Sequence, residues 1–269
     1  MNLFQIEAGK SYTEHPDQSD FFSHTHDTCE LFCFLSGNAS YSVEGNIYPL
    51  APGDIIVLRN AETHHLMLKK NSPYTRITVF FKPDKDLSPE LKEAFLTAFQ
   101  DRPIGLYNRY SAAQFPDSHW LYYLNSICET DDNIKRQIYL MALLQELTDC
   151  FPIVKENPVE VSPNNIIKVT HFIDHHLTET LNLDLICDHF FISKAQLIRN
   201  FKKNLGTTVG DYINTKRLLL ARDLILEGHN PTTVYLQCGF RDYSAFFRAY
   251  KKKFGCRPGN TKEQPHRDY

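Results

Sequence analysis

The sequence predicts an α+β multidomain fold: an N-terminal β barrel with packed helices, joined to a C-terminal all-α domain. Three observations predict it. Between Phe21 and Phe81 short apolar runs alternate with Gly, Pro and Asn turn residues, the pattern of hairpin-linked strands. From Ser88 onward the apolar period becomes helical. Toward the C-terminus one helical pattern occurs twice, 49 residues apart.

Residues 1–20 are polar, contain Pro16, and read as an arm or a first strand. Glu30–Leu35, Ala39–Val43, Asn46–Leu50, Ile55–Leu58, His65–Leu68 and Arg76–Phe81 are six candidate strands, turned at Gly37-Asn38, Glu44-Gly45-Asn46 and Pro52-Gly53-Asp54. Short strands this rich in hairpins roll into a barrel or sandwich, placed here at residues 1–85. Ser88-Pro89 opens a helix that continues to Gln100. Asp117–Ile127 repeats apolar residues at Trp120, Leu124 and Ile127. Asp132–Cys150 carries Ile134, Ile138, Met141, Leu144 and Leu147, with Leu140 and Leu143 on its flanks. A helix apolar on more than one side must be covered on more than one side, so residues 117–150 are expected to form a homodimer contact, the alternative being a helical pair packed entirely within its own chain. The first domain then spans 1–151, the proline-marked stretch 152–163 is a linker, and 164–269 is the second domain.

In that second domain Ser193–Gly206 aligns without a gap on Asp242–Gly255, Arg199 falling on Arg248, Phe201 on Tyr250 and Lys202-Lys203 on Lys251-Lys252. Each copy starts at a good N-cap and stops at a glycine. At helical spacing Leu197 and Phe201 turn inward in the first copy, and Phe246, Phe247 and Tyr250 in the second. Apolar helices, Leu183–Phe190 and Thr232–Cys238, precede the copies, and Val209–Leu226 connects them. Helix, short turn, helix is the DNA-reading arrangement, here present twice, and two adjacent major-groove segments are its natural target. Candidate DNA contacts are Lys194, Ala195, Gln196, Arg199, Lys202 and Lys203 in the first copy, with Asp242, Ser244, Ala245, Arg248, Lys251 and Lys252 in the second. The arginines suit guanine edges and the lysines phosphates. One such helix alone reads equally well as a solvated basic face; two at fixed spacing do not.

The net charge of −3 hides a division: residues 163–269 carry 16 basic against 10 acidic residues, and residues 1–162 carry 13 against 22. The basic half suits phosphate contact. Seven cysteines, an odd count without a C-x-x-C pair, point to reduced thiols in a cytoplasm. There is no run of eighteen apolar residues and no signal pattern, so neither membrane insertion nor export is expected. His171, His175 and His176 lack a third ligand spacing and are given no role.

His24, His26 and Glu30 share a strand face by parity if the strand is regular, and three such groups facing a barrel interior need partners or a polar ligand. An effector site follows, drawn from His24, His26, Glu30, Tyr41, His64 and Arg76, with Tyr74 close by in sequence; sugar hydroxyls suit such an array.

Ser193-x3-Leu197-x-Arg199-x-Phe201-Lys202, Gly239-Phe240-x-Asp242-x-Ser244-x-Phe246-x-Arg248-x-Tyr250-Lys251 and Gly255-x2-Pro258 together resemble the AraC/XylS family of bacterial transcription regulators. Tyr235 and Asn260-Thr261 depart from the family's habit. His24-x-His26-x3-Glu30-x6-Gly37, and Pro52-Gly53-Asp54 with His64, resemble the two cupin motifs, the second incompletely. The resemblance implies a cupin-like sensor domain that binds a small effector, commonly a sugar, without a metal or other cofactor. It also implies transcriptional activation, with RNA polymerase as a further partner. The alternative is a metal-dependent cupin enzyme fused to a DNA-binding module, which requires His24, His26, Glu30 and His64 to hold a transition metal.

Overall fold

A computed structural model describes residues 2–17, 21–69, 72–156 and 166–261. The chain divides into two compact units, 1–163 and 164–269.

In the first unit, β1 (Phe4–Thr13), β7 (Tyr74–Pro83), β2 (Cys29–Ser36), β5 (Ile55–Leu58) and the short β8 (Arg109–Tyr110) form one antiparallel sheet in that order. A second sheet has the order β4 (Asn46–Pro49), β3 (Ala39–Val43), β6 (His64–Leu68). Strand alternation decides what lies between the layers. Leu31, Cys33, Ile55, Val57, Ile77 and Val79 share a core with residues of α1 (Pro89–Gln100), α2 (Trp120–Glu129) and α3 (Asn133–Glu156). Their neighbours Phe32, Phe34, Ile56 and Leu58 meet Tyr41, Val43, Tyr48 and Leu66 of the smaller sheet. The larger sheet is therefore covered on both faces, which is why β2 and β5 read as unbroken apolar runs. Hydrogen bonds among the described residues do not close the expected barrel; the two sheets face each other and are joined where His24 and His64 exchange backbone bonds of 3.1 and 3.0 Å.

Of the two readings of the N-terminus, the strand holds. β1 pairs with β7 over ten rungs, and the buried Gln137 of α3 donates to Phe4 O at 2.7 Å while its own oxygen accepts from Phe4 N at 3.0 Å. Helix α3 continues through Pro152 to Glu156, so the stretch from 152 begins as helix, and residues 157–163 of the expected linker lie outside the described residues. A buried ion pair secures the end of the sheets. Both terminal guanidinium nitrogens of Arg102, Nη1 and Nη2, donate to the Glu62 carboxylate at 2.7 Å, and Gly105 N adds a bond of 2.9 Å. Burial alone would raise the Glu62 carboxyl, but the Arg102 charge and hydrogen bond hold it down at about 2.

The second unit is helical: α4 (Ile166–His175), α5 (Leu183–Phe190), α6 (Lys194–Leu205), α7 (Val209–Leu226), α8 (Val234–Gln237) and α9 (Tyr243–Phe254), ending in a 3₁₀ turn at Pro258–Asn260. Two apolar clusters share α7. Its N-terminal half packs with α4, α5 and α6 through Val209, Tyr212 and Ile213, and its C-terminal half with α8 and α9 through Leu218 and Ala221. Helix α8 is one turn, shorter than the expected 232–238.

Candidate DNA-binding face and effector site

The repeated pattern folds as two matched helices because both ends of each are specified. Ser193 Oγ accepts from Gln196 N at 3.2 Å and Asp242 Oδ1 from Ala245 N at 2.7 Å, each satisfying one of the orphan donors of a helix N-terminus. Gly206 and Gly255 close the helices at φ 66° and 69°, a left-handed conformation that suits glycine. Leu197 and Phe201, and Phe246 and Tyr250, are buried, which turns Ala195, Gln196, Arg199, Lys202 and Lys203, and Ser244, Ala245, Arg248, Lys251 and Lys252, to solvent.

Two candidate contacts have other work. The Asp242 carboxylate is the cap of α9, and an acidic group there would repel phosphate. Lys194 Nζ is paired with Asp184 of α5. Phe247, expected inward with Phe246, is half-exposed and stands beside Tyr243 at 6.1 Å between ring centroids.

In the first unit His24, His26 and His64 converge, their ligand atoms all within 4.8 Å of one another. The means differs from expectation. No regular strand carries His24 to Glu30, since β2 starts at Cys29; His24 instead pairs with β6, and the chain then crosses to the larger sheet through His26. Glu30 Oε2 lies 2.8 Å from His26 Nε2 and 3.3 Å from His64 Nε2, the longer contact lacking hydrogen-bond geometry. Burial pushes the Glu30 carboxyl up, but the hydrogen bond of His26 and the closeness of His64 outweigh it and hold the group ionised. Burial, followed by the charge of His64, pushes His24 down to about 3. For His64 burial is outweighed by Glu30, which draws its pKa upward.

All three imidazoles are pinned at Nδ1 by backbone carbonyls: His24 by Phe22 O at 3.0 Å, His26 by Thr28 O at 2.9 Å and His64 by Glu62 O at 2.8 Å. An Nδ1–H donor in each pair turns Nε2 of His24, His26 and His64 toward one another, with His26 Nε2 already engaged by the Glu30 carboxylate at 2.8 Å. Three ring nitrogens beside a carboxylate gather around one point, where a proton or a cation can sit among them. The donor set thus fits a divalent transition metal.

Tyr41 stacks on His64, ring centroids 6.0 Å apart, and is buried. Arg76 is not part of the histidine cluster. It pairs across the sheet with Phe34, four residues along β2 from Glu30, donates to Tyr74 Oη, and lies 5.9 Å from the Phe21 ring centroid. Its Nε is buried without a hydrogen-bond partner among the described residues.

Residues 11–148 match the family model of the AraC-like ligand binding domain, and residues 186–264 match that of a helix-turn-helix domain. The chain belongs to the AraC family of transcription regulators. This AraC-family regulator is 24% identical over 261 residues to the HTH-type transcriptional activator RhaS of Escherichia fergusonii, with 91% of this chain and 89% of the relative covered. Among solved structures it is similar to fatty acid-bound ToxT from Vibrio cholerae, at 14% identity and TM-score 0.39, with 96% and 94% of the two chains covered. It is also similar to the DNA-binding domain of AdpA in complex with a target DNA, at 23% identity and TM-score 0.33, covering 34% of this chain and 83% of that one. The regulator carries a ligand-binding domain and a DNA-binding helix-turn-helix domain, and no helix among the described residues is long and apolar enough to cross a membrane.

Ile198, not among the candidate contacts, is 51% exposed on α6 between Ala195 and Arg199, and Phe247, expected inward, occupies the same position of α9. The helical wheel, which sets Ile198 one turn from Ala195 and Lys202, is the signal that places it on this face. An apolar side chain on this face can meet a thymine methyl group.

Proposed function

We propose that the regulator is a ligand-responsive transcription activator that sets α6 and α9 in successive major-groove segments and takes a small polar effector, a sugar in the first instance, between its two sheets. Arg199 and Arg248 read bases, flanked by Ala195, Gln196, Ser244 and Ala245, while Lys202, Lys203, Lys251 and Lys252 meet phosphates. The observation that carries the DNA reading is the pair of identically capped helices with matching basic faces. The effector reading is supported by the inward convergence of His24, His26, Glu30 and His64, with Tyr41 beside them and the unsatisfied Nε of Arg76 further along the same interior. Such groups gain from polar ligands what burial takes from them. A thermal-shift screen of the full chain against sugars and organic acids tests it. A binder whose shift disappears in His64→Ala supports the site, and a binder indifferent to that change removes it.

A second reading of the same residues is favoured by the three pinned Nδ1 atoms: a transition metal held by His24, His26, His64 and Glu30. It would also reopen an enzymatic role. Elemental analysis of the purified protein separates the two readings, because a stoichiometric metal lost in His26→Ala favours the metal.

A homodimer through α2 and α3 is supported by exposed apolar side chains on these helices, Tyr122 at 60%, Ile134 at 69% and Ile138 at 53%. Sedimentation should show a dimer that Ile134→Asp with Ile138→Asp converts to a monomer. Activation would bring RNA polymerase as a further partner, and a DNA target supports a cytoplasmic location.

A further inference from the structure

The two helix-turn-helix halves are joined by α7, yet a second connection passes beside it. After α4 the chain turns at Leu177–Thr180, where carbonyls beyond the helix end need donors. Arg217, from the middle of α7, supplies them: its Nε donates to Leu177 O at 2.8 Å and its Nη2 to Glu179 O at 2.7 Å. Gly239, in the turn of the second half, backs onto the same point. A Cβ there would stand 2.6 Å from Leu177 O and 3.0 Å from Arg217 Cζ and Nε, and its φ of +81° also excludes most side chains. Two residues on, Arg241 Nη2 donates to Thr180 Oγ1 at 3.0 Å. The turn between α4 and α5, the centre of α7 and the turn between α8 and α9 therefore meet at one place.

This matters because each half packs on α7 through its own apolar cluster. A helix fixes the separation of two bodies packed on it, but each body can still roll on its own contact. A bond set that spans both bodies opposes that rolling. We propose that Arg217, seated against Gly239, is the positioning residue that sets the register of α6 relative to α9, so that Arg199 and Arg248 face groove segments one helical turn apart. Arg217 itself need not touch DNA. The proposal rests on both helices entering DNA, and the experiment separates its failure from that one.

Full-length regulator is used to enrich duplexes from a random pool, and the enriched two-box site is then remade with one or two base pairs added or removed between the boxes. Fluorescence anisotropy gives the affinity of each duplex, and of a duplex with one box scrambled. The wild type should lose about tenfold or more when the spacing changes, since the second box then no longer adds to the first. Arg217→Gln and Gly239→Ala should flatten that dependence to about threefold or less while keeping single-box affinity within about twofold, with unchanged helical circular dichroism. Arg241→Ala, which leaves the Arg217 cap in place, should relax it less, and carries the test if Arg217→Gln fails to fold. Variants that keep the wild-type spacing penalty would overturn the proposal. So would a loss of single-box affinity as large as the loss on the full site, which marks a merely structural role. A wild type that binds one box as tightly as two would instead overturn the two-helix reading.

Discussion

The charges of the candidate sites lie in opposite settings in the two units, buried in the first and exposed in the second. In the sensor unit Glu30, Glu62 and Arg102 are all buried, at 3%, 0% and 5% exposure, and each is met by a side chain of opposite or complementary character. In the DNA-binding unit Arg199, Arg248, Lys251 and Lys252 stand in solvent over an apolar back formed by Leu197, Phe201, Phe246 and Tyr250. A buried charge must find its partner within the fold, whereas an exposed row of cations can wait for phosphates. The first arrangement makes an interior whose charges are already answered within the fold. The second makes a surface ready for a polyanion.

The contrast breaks most visibly at Glu62. Glu62→Gln leaves Arg102 buried without its counter-charge and should cost the sensor unit about 3–5 kcal/mol. Urea unfolding followed by Trp120 measures this directly, because that single tryptophan is buried in the sensor core. Acid should act on the same pair. The folded pKa of Glu62 lies below its ordinary value of 4.5, at about 2, so its contribution is complete above pH 4.5 and is lost as pH falls from there toward 2. The Trp120 transition should follow that window in the wild type and lose much of the dependence in Glu62→Gln.

Smaller effects are expected on the other unit. Arg199→Ala or Arg248→Ala should each cost about 1–3 kcal/mol of specific DNA binding and leave the Trp120 transition in place. An unchanged affinity would take that arginine out of the readout set. Least of all, Ser193→Ala or Asp242→Ala removes one helix cap, about 1 kcal/mol of local stability. Hydrogen exchange at the first turn of the affected helix should report it, and faster exchange in both helices from either change would mean that the two copies are not independent.

The DNA-binding unit was the more legible half because its information is local. Caps, glycine stops and apolar period all lie within one helix length, and the duplication repeats them; the expectation fails at Phe247, an apolar residue that is half-exposed. The convergence of the histidines was legible in the residues but not in the path of the chain. Parity along a regular strand suggested that His24, His26 and Glu30 share a face, whereas His24 pairs with β6 of the smaller sheet and the chain crosses between sheets before β2 begins. Which sheet a polar, turn-like stretch such as residues 21–28 joins is a tertiary matter that no periodicity records. Residue type alone sets Arg76 beside the histidines in the sequence, and cross-strand register, which pairs it with Phe34, separates it from Glu30.

The most direct measurement of the central claim is sequence enrichment from random duplexes by the full chain and by its Arg199→Ala and Arg248→Ala forms. The wild type should enrich two boxes about 10 base pairs apart, with each substitution erasing preference in one box and a different one for each. A single box, or the same positions erased by both substitutions, would contradict it.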